Sequence, residues 1–363
     1  MTIENHAALA ALGWDATFAE AFAPFAADGF AAARVVAEHR DRYTIANHYD
    51  ANTSAVLAGR LRHEAVSRLD LPAVGDWVAA TRVASSADIA SVHAILPRRT
   101  AFVRKVAGDE TIAQIVAANV DVALIVTPLS ESVNERRLER YLALAWESGA
   151  LPVVVLTKTD LSDDVAGNVA AAQRVAPGVD VIAVSSLTGE GIDVLERLLV
   201  PGRTAVLLGP SGVGKSTLIN RLLGTVRLRT ADVREDGKGR HTTTHRELVL
   251  LRAGALLIDT PGMRELQLWD ADAGLEATFS DIYKLAAGCH FRDCRHHTEP
   301  GCAVRDAVGA GRLPADRLEH WHKLQRELAY LERRQDKLAA AEDRARTKSL
   351  HRLGREHIRR KYQ

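Results

Sequence analysis

Apolar residues recur along the chain with changing periods. Residues 1–30 are Ala-rich, with Trp14, Phe18, Phe22 and Phe25 three or four positions apart, the spacing of one helical face. This predicts an N-terminal helical extension whose aromatic stripe docks on a neighbour. From residue 31 the period shortens. The segments "AARVVAEHRDRYTIAN", "SAVLAGRLRHEAV", "VGDWVAATRV" and "IASVHAILP" alternate apolar and polar positions between turn-forming Asp-Ala-Asn, Leu-Pro-Ala and Ser-Ser-Ala-Asp. Roughly four or five short strands are therefore expected over 31–108, as a small β-barrel; the oligonucleotide-binding fold is one such barrel. From "IVAANVDVALIVT" onward, apolar strands alternate with longer helical stretches: "NERRLERYLALAWESGA" precedes "LPVVVLT", and "GNVAAAQRVAPG" precedes "VDVIAVSS". That alternation predicts an α/β domain over 109–270, with a parallel sheet and helices on its faces. It stops after Leu268. A Cys/His-rich knot and a long charged helix ending in a basic tail then form a third, helical module over 271–363.

Composition refines this outline. With 363 residues, 47% hydrophobic and 26% charged, the chain has the make-up of a globular protein of two or three domains. The most apolar windows are short and bounded by turn residues, so they read as buried strands rather than membrane spans. The N-terminus carries Glu4 where a secretory signal would carry Lys or Arg, and a cytoplasmic, monomeric protein is expected. The net charge of +1 hides local fields. Arg344 to Gln363 holds eight basic residues against one acidic, and Arg34 to Val106 holds eleven against seven. An RNA-facing surface is expected there, with Arg98, Arg99, Arg104 and Lys105 pairing with phosphates around Phe102.

The sharpest chemical signal is the run Gly209-Pro210-Ser211-Gly212-Val213-Gly214-Lys215-Ser216-Thr217. It fits G-x-x-x-x-G-K-[ST] between a predicted strand and a predicted helix, as a phosphate-binding loop requires. Glycines allow backbone N–H groups to point at phosphate oxygens, and the helix N-terminus adds positive potential. Lys215 would neutralise the terminal phosphates and Ser216 would ligate Mg²⁺. Downstream, "LLIDTPGMREL" sets Asp259 at a strand end, placed for the Mg²⁺ shell, with the Gly262 N–H in reach of a γ-phosphate. The intervening "GKGRHTTTH" offers a Mg²⁺-ligating hydroxyl from Thr242, Thr243 or Thr244, assigned here to Thr243.

Base recognition is read upstream. In "VVVLTKTDL", Thr157 and Lys158 lead to Asp160, whose carboxylate can accept from the ring N–H and exocyclic amine of guanine, donors that adenine lacks. "VIAVSSLTGEG" supplies Ser185, Ser186 and Leu187, a loop whose N–H can meet the guanine carbonyl. The order is thus base loop, second base loop, phosphate loop, hydroxyl segment, D-x-x-G. Such loops meet at the carboxyl ends of strands whatever order the chain visits them, so the order indicates a circular permutation. All three cysteines lie in "CHFRDCRHHTEPGC", and three thiolates with one imidazole suit structural Zn²⁺. His290, His296 and His297 all compete for the fourth position.

Taken together, the barrel, the permuted motifs TKTD, SSLTG, GPSGVGKST, GRHTTT and DTPG, and the C-x4-C-x-H-x5-C knot resemble the ribosome small subunit-dependent GTPase A family over nearly the whole chain. The resemblance implies an oligonucleotide-binding barrel, GTP hydrolysis to GDP and phosphate stimulated by the small ribosomal subunit, and action late in that subunit's maturation. Its rRNA and other assembly factors would be partners. It also implies Cys289, Cys294, His296 and Cys302 as zinc ligands. Met263 stands where many relatives of this fold carry Gln, and the resemblance points to His241 as the group that positions water, beside Lys215. Thr157 replaces the usual Asn and is expected to bond less well to the base and the phosphate loop. Ser186 replaces a common Ala. Two rival readings are a zinc-stabilised RNA-binding module with a vestigial nucleotide site and a permuted GTPase serving another ribonucleoprotein particle.

Overall fold

The computed structural model describes residues 3–40, 42–47, 52–83, 85, 88–106, 112–130, 132–225, 246–259 and 272–330. His241, Thr242, Thr243, Thr244, Gly262, Met263 and the basic tail lie outside them. The chain falls into two compact units: the first takes Met1–Arg104, Ala113–Gln267 and Asp272–Thr278, the second Lys105–Ile112, Leu268–Ala271 and the chain from Phe279. None of the described helices is long and apolar enough to cross a membrane.

The chain opens with helices α1 (Ile3–Ala11) and α2 (Ala16–Ala27), followed by strands β1 (Ala31–Glu38), β2 (Tyr43–Ala46) and β3 (Asn52–Leu57). Helix α3 (Gly59–Glu64) leads to β4 (Trp77–Ala80) and β5 (Ala90–Ile95). The strand order β1-β2-β3-β5-β4 closes through a β1–β4 pairing into a five-stranded barrel, antiparallel except for β3 beside β5. Val35, Tyr43, Ile45, Ala55, Val78 and Val92 fill it. Closure pairs strand edges that would otherwise stand open. One expectation fails: "SAVLAGRLRHEAV" is not a single strand, because after Leu57 the chain turns into α3. There Leu61 packs on the barrel core while Arg60 and Glu64 pair on the solvent side.

The aromatic stripe docks on the barrel. Trp14 meets Trp77 edge-on at 4.6 Å and Phe18 lies 5.8 Å from the same ring. The arginines expected to face phosphate have these surroundings. Arg98 donates to both oxygens of buried Asp76, at 2.8 and 2.7 Å, and to the carbonyls of Leu69 and Leu71. Arg99 pairs with Asp15 at 2.6 Å and covers the Phe18 ring, and Phe102 is buried. Arg98 is thus engaged by internal partners, whereas Arg99 stays partly exposed in a surface pair. The Lys105 side chain lies outside the described residues.

Arg34 joins three parts of the first unit. It is fully buried, and burial lowers its pKa to about 10. Its guanidinium donates to Gly75 O and Asn119 O, each at 3.1 Å, and to Leu12 O. The extension, the barrel and the start of the α/β sheet are thereby tied at one point. Arg34→Met should cost about 2 kcal/mol, since the carbonyls of Leu12 and Asn119 lose a buried donor while Gly75 O keeps the Asn119 amide. Chemical denaturation of the two proteins checks this.

Strands β6 (Ala101–Val106) and β7 (Ile112–Ala118) form a separate two-stranded sheet. The α/β part follows as β8 (Val122–Pro128), α4 (Glu135–Ser148), β9 (Leu151–Thr157), α5 (Val165–Val175), β10 (Asp180–Ala183), α6 (Ile192–Leu198), β11 (Thr204–Leu208), α7 (Lys215–Leu223), β12 (Arg246–Leu250) and β13 (Leu256–Asp259). In space the order is β10-β9-β8-β11-β13-β12, parallel except for β12. Uninterrupted apolar runs explain the burial: Leu124, Val126, Val153, Val155, Leu207 and Leu257 all lie in one core, as strands covered on both faces require. The far edge of β12 pairs with β1, so barrel and α/β sheet share one continuous ladder. Helix α8 (Asp272–Thr278) packs on α4, where Gly274 donates to Glu147 at 3.1 Å, and the first unit thus runs past the sequence boundary at 270. The second unit includes α9 (Ser280–Ala286), α10 (Ala303–Gly309) and a helix over 315–330.

Candidate active site and metal centre

The carboxyl ends of β8, β9, β11 and β13 lie along one edge of the sheet because these strands run parallel. The loop after β11 begins at Gly209, with φ 143, and passes Gly212 (φ 80) and Gly214 (φ 96) into α7. A Cβ at Gly209 would stand 2.6 Å from Val126 O, so only glycine lets the loop leave β11 against β8. Lys215 Nζ donates to the carbonyls of Gly209 and Pro210, each at 2.5 Å, which lays the ammonium across the loop mouth. Ser216 is half-buried in the first turn of α7, and Ser211 and Thr217 are exposed. Asp259 ends β13, two positions along the sheet from β8.

The base loops reach the same edge. Thr157, the last residue of β9, is buried, and its Oγ1 donates to Val213 O of the phosphate loop at 2.7 Å. The Thr157 hydroxyl, though shorter than an Asn amide, does reach the phosphate loop. Lys158 takes a left-handed backbone (φ 61) that turns the chain, and Asp160 follows, exposed. Buried Ser185 donates to Asp160 Oδ1 at 2.5 Å and accepts from Thr188 N at 3.1 Å. The two base loops are therefore hydrogen-bonded to each other, with Ser186 half-buried and Leu187 exposed beside them. The base and phosphate loops, the Asp160 carboxylate and strand-end Asp259 collect at one edge, while His241, Thr243 and Gly262 belong to stretches outside the described residues.

The second unit brings Cys289, Cys294, His296 and Cys302 together, with all ligand atoms within 4.8 Å of one another. His296 Nδ1 stands 3.6 Å from Cys289 Sγ and 3.4 Å from Cys302 Sγ, and the two sulfurs are 4.0 Å apart. Ligands on a tetrahedral Zn²⁺ with bonds of about 2.3 Å to sulfur and about 2.0 Å to nitrogen would stand roughly 3.5–3.8 Å apart. The donor set fits that ion. The competing histidines are turned elsewhere: His290 meets Phe291 edge-on and His297 stacks on His322. Burial and the two neighbouring thiols push the Cys294 thiol up to about 11, whereas burial lowers His296. Glu299 braces the loop: its own backbone amide, then those of Arg295, His297 and Thr298, donate to the carboxylate and pull it down to about 2.

A family model described as RsgA GTPase matches residues 95–269, and another described as 50S ribosome-binding GTPase matches residues 204–335. A protein of Opitutus terrae described as small ribosomal subunit biogenesis GTPase RsgA is 49% identical over 352 residues, covering 94% of this chain and 96% of its own. The chain belongs to the RsgA GTPase family. An RsgA of Streptomyces coelicolor is 46% identical over 93% of this chain and 91% of its own. YjeQ from Thermotoga maritima superposes with a TM-score of 0.62 at 25% identity, covering 83% of this chain and 99% of that structure. YloQ, described as a circularly permuted GTPase, gives 0.61 at 24% identity over 83% and 95% and shares the fold. RsgA membership agrees with the permuted strand order, in which the base loops precede the phosphate loop. No sequence signal marked Arg34, Asn119 or the Thr157 bond to Val213, because each depends on a partner remote in the chain.

Proposed function

We infer that this chain hydrolyses GTP to GDP and phosphate in the biogenesis of the small ribosomal subunit, binding that subunit through its rRNA, and that it works as a monomer in the cytoplasm. The identity of 49% with a small-subunit RsgA over 94% of the chain carries this reading. In it, Asp160, Lys158, Thr157 and the loop Ser185-Ser186-Leu187 bind guanine. Residues 209–217 wrap the phosphates, with Lys215 balancing their charge. Ser216, Asp259 and Thr243 would hold Mg²⁺, which when bound adds positive charge at the phosphates. Gly262 meets the γ-phosphate and His241 positions water. Cys289, Cys294, His296 and Cys302 hold one structural zinc, since four protein ligands leave no open coordination position.

GTP turnover measured alone, with purified small subunits and with large subunits tests the reading. Stimulation by small subunits only is expected. Equal rates in all three conditions, with RNA binding unchanged in Lys215→Ala, would instead favour an RNA-binding module with a vestigial nucleotide site.

A further inference from the structure

Strand β12 lies between the barrel's β1 and β13, the strand that carries Asp259. β12 pairs along its length with β13, from Glu247 opposite Asp259 to Leu250 opposite Leu256. On its other edge it pairs with β1 only at its start, Ala37 opposite Glu247 and Glu38 opposite Arg246. One cross-strand row therefore runs Ala37, Glu247, Asp259. At the usual strand spacing the barrel's first strand lies about 10 Å, two ladder steps, from the carboxylate that would serve Mg²⁺.

Three side chains fasten that junction. Arg246 donates to Glu38 Oε2 at 2.7 Å and to Gln114 Oε1 at 3.2 Å, and Gln114 Nε2 donates to Glu38 Oε1 at 3.1 Å. The ring is closed, each member bonding the other two, and it joins barrel strand β1, strand β7 and β12. The Arg246 and Glu38 side chains are only 17% and 22% exposed, so the pair is better shielded than a surface bridge. In sequence, Arg246 stands three residues past Thr243 and five past His241.

We propose that the Glu38–Gln114–Arg246 ring is the coupling through which the barrel sets the rate of hydrolysis, with Arg246 a positioning residue that acts through β12 and not on the nucleotide. The inference rests on the GTPase reading above. Holding the first residue of β12 against β1 fixes the register of Glu247 against Asp259. Whatever moves the barrel strand then moves the metal end of β13. Thermodynamic reciprocity requires the converse: if barrel engagement favours one nucleotide state, that state changes the barrel's affinity by the same factor.

The test compares the full-length protein with Glu38→Gln, Arg246→Gln and the swapped pair Glu38→Arg/Arg246→Glu. Affinity for a non-hydrolysable GTP analogue should stay within about two-fold, while stimulation by small subunits falls by about five-fold or more in each single variant, the lower range of allosteric couplings. The swapped pair should recover most of the stimulation. Loss of analogue binding and stimulation in parallel, or full stimulation in the single variants, overturns the proposal. Amide hydrogen exchange of Ala31–Glu38 supplies a second, ribosome-independent arm. Exchange there should differ between the analogue-bound and GDP-bound wild type and become equal in Glu38→Gln; equal exchange in the wild type overturns the coupling. If small subunits fail to stimulate the wild type but the exchange difference is present, the functional reading fails and the coupling stands.

Discussion

Removing zinc, by chelation or by Cys302→Ser, is expected to unfold the second unit while leaving nucleotide binding within a few-fold of the intact protein. Among the described residues the apolar core of that unit is small: Phe279, Ile282, Val304, Ala307, Leu313, Leu318, Leu324 and Leu328. Two of its helices, α9 and α10, are each seven residues long, too short to persist alone. Such a core does not offset the entropy of ordering the chain without a covalent or metal staple. Structural zinc contributes about 10–16 kcal/mol of apparent binding free energy, as much as the roughly 5–15 kcal/mol that stabilises a typical whole domain. Cys302 also accepts from Arg305 N at the start of α10, so its loss frees that helix as well. The Arg317 pairing with Asp281 then has no fixed frame to act in. Trp321, 5.4 Å from His296, reports the change by fluorescence, and added Zn²⁺ should reverse it. Unaltered fluorescence and melting after zinc is shown to be gone would refute the expectation. The base and phosphate loops belong to the first unit, and their independence is what GTP-analogue titration of the same sample checks.

What the sequence disclosed and what it withheld separate along a physical line. Phosphate-loop spacing is legible because a backbone that must face phosphate demands glycine at fixed offsets. The Cys/His knot is legible because few residue types hold zinc. The parallel sheet shows in runs such as Val153 to Leu156, apolar on both faces. Side chains whose partners lie far off in sequence are opaque. Arg98 and Arg99 look like a basic patch until Asp76 and Asp15 are brought beside them by closure of the barrel and docking of α2. The same holds for Glu38 and Arg246, joined only when the permuted sheet grows onto the barrel. Helix α3 was hidden because Leu61 satisfies the alternating pattern of a strand as well as the inward position of a helical turn. The Thr157 bond is hidden for the same reason, since the sequence gives the side chain's length and not the nearness of Val213.

Asp160→Asn is expected to reduce GTP affinity by about a hundred-fold while leaving the melting temperature of the nucleotide-free protein unchanged. The carboxylate is acceptor-only, and guanine presents two donors to it, the ring N–H and the exocyclic amine. Hydrogen bonds to a charged group are worth about 1.5–3 kcal/mol each, and 1.4 kcal/mol is ten-fold in affinity. An amide keeps one acceptor, which Ser185 can still orient as it does Asp160 Oδ1, but turns a donor toward the other donor of the base. One bond is lost and a repulsion added. Stability is spared because Asp160 is exposed and its structural bond is to a hydroxyl that can also donate to an amide oxygen. A base with a carbonyl in place of the exocyclic amine, as in xanthosine triphosphate, should gain what guanine loses, since the Asn amide donates where that carbonyl accepts. Titration of GTP, ATP and xanthosine triphosphate against both proteins distinguishes the outcomes. Equal GTP affinity in the two would place the base away from Asp160. A parallel loss for every triphosphate would point to a disturbed phosphate loop, reached through Thr157 and Val213, rather than to base recognition.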